Sequence, residues 1–299
     1  MRKIKNIVIC GLGAIGGYYA SKIYENPDYC LKILVDNERL IRYKSEPRNI
    51  NGKEYSFEYI LPESTFNADL IIIATKSSGL DEAIANIKGF ITNETTILSF
   101  LNGITSEERI ASVYGKEKVL ASFLLGHTFF RRDKYIEHDG NAKVYFGNPW
   151  RDSSDNVEWV KTCFDEIGID YCVQKDILTA MWNKFCFNCC VNQISALTKM
   201  TFGEMKLSAK CLDIIKNISD EISAIANVVG ITGYECFYEN TLKSLEIMLP
   251  EGKTSMLQDI EAGIKPEIDI FGKTVVTLGE KYGVETPYNR VISDMIDLL

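Results

Sequence analysis

Six residues near the start of the chain constrain the fold more than any others. Gly11-Leu12-Gly13-Ala14-Ile15-Gly16 stands between a short apolar run, Ile4 to Cys10, and a stretch of helical spacing, Tyr18 to Tyr24. A glycine-rich turn alone is common. Here a run suited to a doubly buried strand precedes it and a helix follows, which is the context of a dinucleotide-binding loop. In that loop Gly11 permits the tight turn, Gly13 lets the backbone approach a pyrophosphate, and Gly16 lets helix and strand pack closely. The helix N-terminus then offers unpaired amides and the positive end of its dipole to phosphate oxygens.

The pattern repeats downstream. Leu31 to Val35 is a second apolar run ending in Asp36, and Leu70 to Ala74 a third ending in Thr75 and Lys76. Asp81 to Ile91 has helical spacing, Thr96 to Phe100 reads as a strand, and Leu101-Asn102-Gly103 follows as a turn. Strands alternating with helices predict an α/β fold with a Rossmann-type doubly wound sheet, whose ligands bind beyond the carboxyl ends of the strands. The segment from Val119 to Phe146, rich in aromatic and β-branched residues, is expected to add strands and complete this domain.

From about Asp176 the spacing becomes helical throughout: Ile177 to Leu197, Cys211 to Val229, Cys236 to Leu249, and Glu267 to Tyr282. A chain of 299 residues suits two domains. The expected division is a dinucleotide-binding domain over residues 1–170 and an all-helical C-terminal domain over 171–299, with the site in a cleft between them.

A formal charge of -8 argues against general nucleic-acid binding, which depends on clustered Lys and Arg neutralising phosphates. No apolar run reaches the roughly 18 to 20 residues needed to span a bilayer. The charged opening reads as a lead into a strand and not as a signal peptide, so a cytoplasmic protein is expected. Nine scattered cysteines suit buried thiols in a reducing compartment.

Asp36 lies 20 residues past Gly16. There an acidic side chain can accept hydrogen bonds from the ribose hydroxyls of the adenosine and repel a 2′-phosphate, which favours NAD over NADP. The plainer reading is a solvated Asp opening a turn before Asn37. In the helical half, Lys184, Asn188 and Asn192 recur at i, i+4 and i+8 and so share one helix face. Met181, Trp182, Phe185, Phe187, Val191 and Ile194 surround them with apolar bulk. A buried polar stripe must either pair internally or line a ligand cavity.

The segment Trp182-Asn183-Lys184-Phe185-Cys186-Phe187-Asn188, continuing through Asn192 to Ala196-Leu197-Thr198, resembles the signature helix of the ketopantoate reductase family. Ser255-Met256-Leu257-Gln258-Asp259-Ile260, with Glu267-Ile268-Asp269 and Gly272, resembles that family's second signature. The glycine loop, Thr75-Lys76 and Asn102-Gly103 match in order as well. The resemblance implies an NADPH-dependent 2-dehydropantoate 2-reductase that produces D-pantoate for pantothenate and coenzyme A synthesis, with a homodimer as a family-level expectation. It also implies roles. Lys184 would be the catalytic lysine, and Glu267 the acidic partner for substrate hydroxyls and for the cofactor. Asn102 would organise the site beside the nicotinamide, and Lys76 would lie near the cofactor. Asn188, Asn192 and Ser255 would hold the substrate.

Two positions depart from the family's pattern. Asp36 and Asn37 stand where a basic residue often accepts the 2′-phosphate, and Gly252 stands where an Asn often contacts the substrate, three residues before the serine. These departures leave two other readings open: an NAD-dependent D-2-hydroxyacid dehydrogenase acting on branched or aromatic 2-keto acids, and a non-catalytic dinucleotide-binding sensor. With only two histidines, His127 and His138, neither a histidine-centred site nor a metal site is expected. Glu267 follows Pro266, which suits the first turn of a helix. Cys186, Cys189 and Cys190 lie in an apolar helix without a matching second pair and are expected to be buried thiols.

Overall fold

The computed structural model describes residues 3–126, 129–150 and 154–299. Contacts divide the chain into two compact units, Met1–Ile177 and Leu178–Leu299.

The first unit is built on eight strands: β1 (Asn6–Cys10), β2 (Cys30–Leu34), β5 (Tyr59–Ile60), β6 (Leu70–Ile73), β7 (Thr96–Ser99), β8 (Val119–Leu125), β11 (Lys143–Gly147) and β12 (Tyr171–Val173). They lie in the order β12-β11-β8-β7-β6-β1-β2-β5, parallel throughout except where β11 runs against β8. Helices α1 (Ala14–Tyr24) and α5 (Asp155–Ile167) cover one face, and α3 (Leu80–Asn86) and α4 (Ser106–Tyr114) the other. The strands are nearly all apolar because successive residues feed opposite faces. Ile7, Ile9, Ile33, Leu70, Ile72 and Leu98 pack with Tyr19 and Ile23 of α1 and Val160 and Phe164 of α5. Val8, Cys10, Leu34, Ile71, Ile73 and Ile97 pack with Leu80 and Ile84 of α3 and Ile110 of α4. The predicted Rossmann-type doubly wound sheet is present.

The segment from Val119 to Phe146 does add strands to this unit, and they serve two sheets. β9 (Phe129–Arg132) and β10 (Tyr135–His138) join β3 (Arg48–Ile50) and β4 (Lys53–Tyr55) in a separate sheet ordered β4-β3-β10-β9. This sheet lies on α1, where the side chain of Ile136 fills the space beside Gly17. Burying Ile50 and Ile136 there gives these short strands an apolar anchor.

The second unit is helical. It begins one residue into α6 (Ile177–Phe187) and continues through a π-helical turn (Asn188–Asn192) into α7 (Gln193–Thr198). Next come α8 (Phe202–Leu207), the 21-residue α9 (Ala209–Val229) and α10 (Phe237–Glu246). The last three are α11 (Ser255–Glu261), α12 (Gly272–Tyr282) and α13 (Pro287–Asp297). α9 is the hub: Cys211, Ile215, Ile218, Ile222, Ile225 and Ala226 recur at helical spacing and are buried, and α8, α10, α12, α13 and the π turn all pack against it. Buried Glu221 ties α13 to this hub by accepting from the Tyr288 amide at 2.7 Å, the Asn289 amide at 3.1 Å and Asn289 Nδ2 at 2.7 Å.

The sequence predicts one helix over Glu267 to Tyr282. The structure instead has a 3-10 turn, Ile268–Ile270, a break at Phe271 (φ -117°, ψ -103°), and only then α12. Ile268, Ile270 and Phe271 are all buried. At about 3.6 residues per turn a continuous helix would aim Ile270 away from the other two, so the break lets all three enter the core.

Candidate active site

In the first unit the glycine loop, Asp36, Lys76 and Asn102 all emerge from the carboxyl ends of four adjacent parallel strands. The register is direct: Cys10 of β1 lies level with Leu34 of β2 and Ile73 of β6, and Ile73 with Ser99 of β7. Gly11 to Gly16 follow Cys10, Asp36 ends the run after Leu34, Lys76 comes three residues after Ile73, and Asn102 three after Ser99. This row is the crevice where a doubly wound sheet binds its ligand.

Gly11 adopts φ +105°, and a Cβ on it would lie 2.6 Å from the Ala74 carbonyl oxygen. A Cβ on Gly16 would overlap the Gly11 carbonyl oxygen itself. Leu12 is buried, whereas Ala14 and Ile15 are half-buried. α1 starts at Gly13 with no side-chain cap, so its first-turn amides remain available to an anion. The fit to a pyrophosphate group is therefore good.

Asp36 has structural duties of its own. It is the N-cap of a helix α2 (Asn37–Ser45): its Oδ1 accepts from the Arg39 amide at 2.6 Å, and its Oδ2 pairs with Arg39 Nη1 at 2.8 Å. The position read for a carboxylate thus also holds a guanidinium. Sequence reasoning missed Arg39, although its place three residues into a capped helix was the available signal. Lys76, exposed, heads a 3-10 turn, Ser77–Gly79, and Asn102, half-buried, sits before Gly103 at φ +94°.

In the second unit Lys184 lies near the end of α6, half-buried, one turn before the π segment that carries Asn188 and Asn192. The predicted stripe assumed a regular α-helix. The i→i+5 pattern of a π turn widens the coil, and such turns recur at functional sites. Asn192 Nδ2 donates to Asn188 Oδ1 at 3.4 Å, so the two amides do share a face. Asn183, by contrast, is engaged by Asn240 Nδ2 at 2.8 Å and donates to the Thr179 carbonyl at 2.9 Å.

Ser255, exposed, opens α11, whose N-cap is the buried Thr254, and α11 packs on the π turn and α7. The fold thus brings Ser255's helix to the two asparagines. Glu267 precedes the 3-10 turn and does not lie in an α-helix. Gly252 has a local reason: a Cβ there would meet the Phe202 ring at 2.9 Å, and the Phe202 amide donates to the Gly252 carbonyl at 3.0 Å. Phe202 fills the space a side chain at 252 would need.

Cys186, Cys189 and Cys190 are buried free thiols. Cys190 Sγ lies 3.3 Å from Ser219 Oγ on α9, and burial pushes the Cys189 and Cys190 thiols well up from their ordinary value. Among the described residues no group of three His, Cys, Asp or Glu side chains could hold a metal ion. His138 packs edge-on to Tyr18 at 4.4 Å, and burial lowers its pKa; His127 lies outside the described residues. A buried polar chain also escaped sequence reasoning: Ser99, Ser106 and Glu107, behind the Asn102 turn.

Comparison with known proteins agrees over both units. The family described as "Ketopantoate reductase PanE/ApbA" matches residues 7–150, and "Ketopantoate reductase PanE/ApbA C terminal" matches residues 176–299. A 2-dehydropantoate 2-reductase from Aquifex aeolicus is 26% identical over 312 residues, covering 98% of this chain and 96% of the relative. The complex of D-mandelate dehydrogenase with NADH superposes with a TM-score of 0.87 at 20% identity, covering 98% of each chain. A dimeric ketopantoate reductase from Staphylococcus aureus gives 0.78 at 18% identity, again over 98% of each. The solved structures show the shared fold. Among the described residues, no helix is long and apolar enough to cross a membrane.

Proposed function

Because the chain belongs to the ketopantoate reductase family of oxidoreductases, we propose that it is a cytoplasmic 2-dehydropantoate 2-reductase that reduces the keto group of a small 2-keto acid. The carrying observation is Lys184, one turn before a π segment whose two asparagine amides bond each other. A nucleotide sensor would need neither the ammonium nor the paired amides.

The residues fit a dinucleotide. Gly11, Leu12, Gly13, Ala14, Ile15 and Gly16 would cradle the pyrophosphate against the uncapped start of α1, with Asp36 and Arg39 at the adenosine ribose and Lys76 and Asn102 along the row. When bound in reduced form, the nicotinamide supplies the hydride. Negative charge then builds on the keto oxygen, and the Lys184 ammonium stabilises that charge and donates the proton from Nζ. Asn188, Asn192 and Ser255 hold the carboxylate and remaining polar groups, and Glu267 accepts from a substrate hydroxyl and helps to seat the cofactor. A site of amide and hydroxyl donors rejects analogues that leave them unpaired.

One observation favours the second reading, a D-2-hydroxyacid dehydrogenase: Phe202 takes the space beside Gly252, replacing an amide with a ring. Cofactor oxidation with ketopantoate and with 2-ketoisocaproate, each with NADH and NADPH, tests both. Turnover of ketopantoate alone supports the reductase, and preference for 2-ketoisocaproate supports the alternative. No turnover with any pair refutes both. The dimeric relative from Staphylococcus aureus suggests a homodimer, which light scattering in solution would check.

A further inference from the structure

The loop that carries Asn102 is clasped at its base. Ser99 ends β7 and Ser106 opens α4, and Ser99 Oγ donates to Ser106 Oγ at 2.9 Å, closing the six residues Phe100–Thr105 into a short loop. Ser106 Oγ in turn donates to Glu107 Oε2 at 2.9 Å, and the Leu101 amide donates to Ser99 Oγ at 3.4 Å. Ser122 on β8 donates to the Ser99 carbonyl and holds the strand end from the other side. Ser99, Ser106, Glu107 and Ser122 are all buried, Glu107 to 4% exposure, and its Oε1 has no hydrogen-bond partner among the described residues.

We propose that Glu107 is a positioning residue for the reaction: its carboxylate sets the direction of the Ser106 and Ser99 hydroxyls and thereby fixes the Leu101-Asn102 turn at the nicotinamide end of the cofactor row. This rests on the reductase reading above. An ionised carboxylate only accepts. Ser106 must therefore point its proton at Glu107, Ser99 must point its own at Ser106, and the Ser99 lone pairs are left facing the Leu101 amide. A proton on Oε2 reverses this order. Ser106 then accepts from Glu107, the Ser99 hydroxyl proton is displaced toward the Leu101 N–H, and that bond is lost.

Burial pushes the Glu107 carboxyl up to about 7, against the pull of the Ser106 hydroxyl, so the reversal falls in the neutral range. The charge acting on it is that of Glu108, its chain neighbour. Of the elements packed on α4, β8 carries no titratable side chain, and the 3-10 turn Lys116–Lys118, with Lys116, Glu117 and Lys118, follows the C-terminal end of α4, away from Glu107. On α3, Asp81 pairs with Arg109, and Glu82 acts on Cys10.

The test measures kcat and KM from pH 6 to 8.5 for the wild type, Glu107→Gln and Ser106→Ala, with hydrogen exchange of the Ser99–Thr105 segment corrected for intrinsic rates. In the wild type kcat should fall about tenfold below neutrality, since small misplacements in a site are costly, with little change in KM for the cofactor. Segment protection should fall in parallel. Glu107→Gln, which can still accept from Ser106, should abolish both pH effects. Ser106→Ala, which leaves Glu107 in place, should show the acid-form rate even at pH 8. A decline that persists in Glu107→Gln, or wild-type protection that does not vary with pH, overturns the proposal. Pronounced protection changes without turnover of any keto acid would refute the reductase reading and leave the loop clasp standing.

Discussion

Glu107→Gln should alter the pH dependence of stability by an amount that follows from burial. The carboxyl is raised from 4.5 in the unfolded chain to about 7 in the folded protein, so the folded state holds the proton more tightly. Its contribution is therefore fully present below pH 4.5, declines between 4.5 and 7, and is gone above. At about 1.36 kcal/mol per unit, the whole window amounts to roughly 3 kcal/mol. The group is almost fully buried, so solvent screening takes little from this figure. Glutamine does not titrate. The stability difference between Glu107→Gln and the wild type should therefore move by about 3 kcal/mol in the variant's favour between pH 4.5 and pH 8. Urea unfolding at the two pH values measures this difference, and any constant cost of the amide cancels. A difference for Glu107→Gln that is the same at both pH values would refute the argument from burial.

Three further predictions concern the proposed site. Lys184→Ala should lower kcat by at least about a hundredfold, the lower range for a general acid; a loss below tenfold would reject its role. Asp36→Ser keeps an acceptor for the Arg39 amide while removing the charge, so it should raise the NADPH-to-NADH preference without loss of stability, whereas Asp36→Ala should cost about 1 kcal/mol through the lost cap. An unchanged cofactor ratio in Asp36→Ser would mean that Asp36 serves α2 alone. Gly16→Ala forces a methyl into the Gly11 carbonyl; it should cost roughly 1 to 3 kcal/mol and weaken dinucleotide binding seen by fluorescence titration, and unaltered binding would place the cofactor elsewhere.

The sequence revealed features whose cause is local. A strand buried on both faces needs an unbroken apolar run, so Ile7–Cys10, Leu70–Ile73 and the glycine loop between strand and helix were readable. Helix α9 declares itself through the spacing of its isoleucines. Features that depend on distant partners were hidden. Arg48–Ile50 and Tyr135–Ile136 are too short to announce a sheet until α1 provides a surface for Ile50 and Ile136. The break at Phe271 arises from competition among three apolar residues for one core. The Asp36–Arg39 pair and the Ser99–Ser106–Glu107 chain are matters of side-chain direction, which spacing does not encode, and Gly252 is explained by Phe202, fifty residues earlier.

The π turn between α6 and α7 sets a limit on how this enzyme can be altered. It accommodates one residue more than a regular helix would over the same rise, so the surplus is taken up within the segment and decides which way Asn188–Asn192 face. Removing any one residue from Asn188–Asn192 would let the backbone relax into an ordinary helix. The flanking helices would keep nearly the same phase, so Lys184 would hold its direction relative to Gln193 and Ile194, while the residues left inside the segment would be re-aimed on the helix face. A shortened variant should therefore fold with its ammonium in place and the spacing of its two asparagine amides lost.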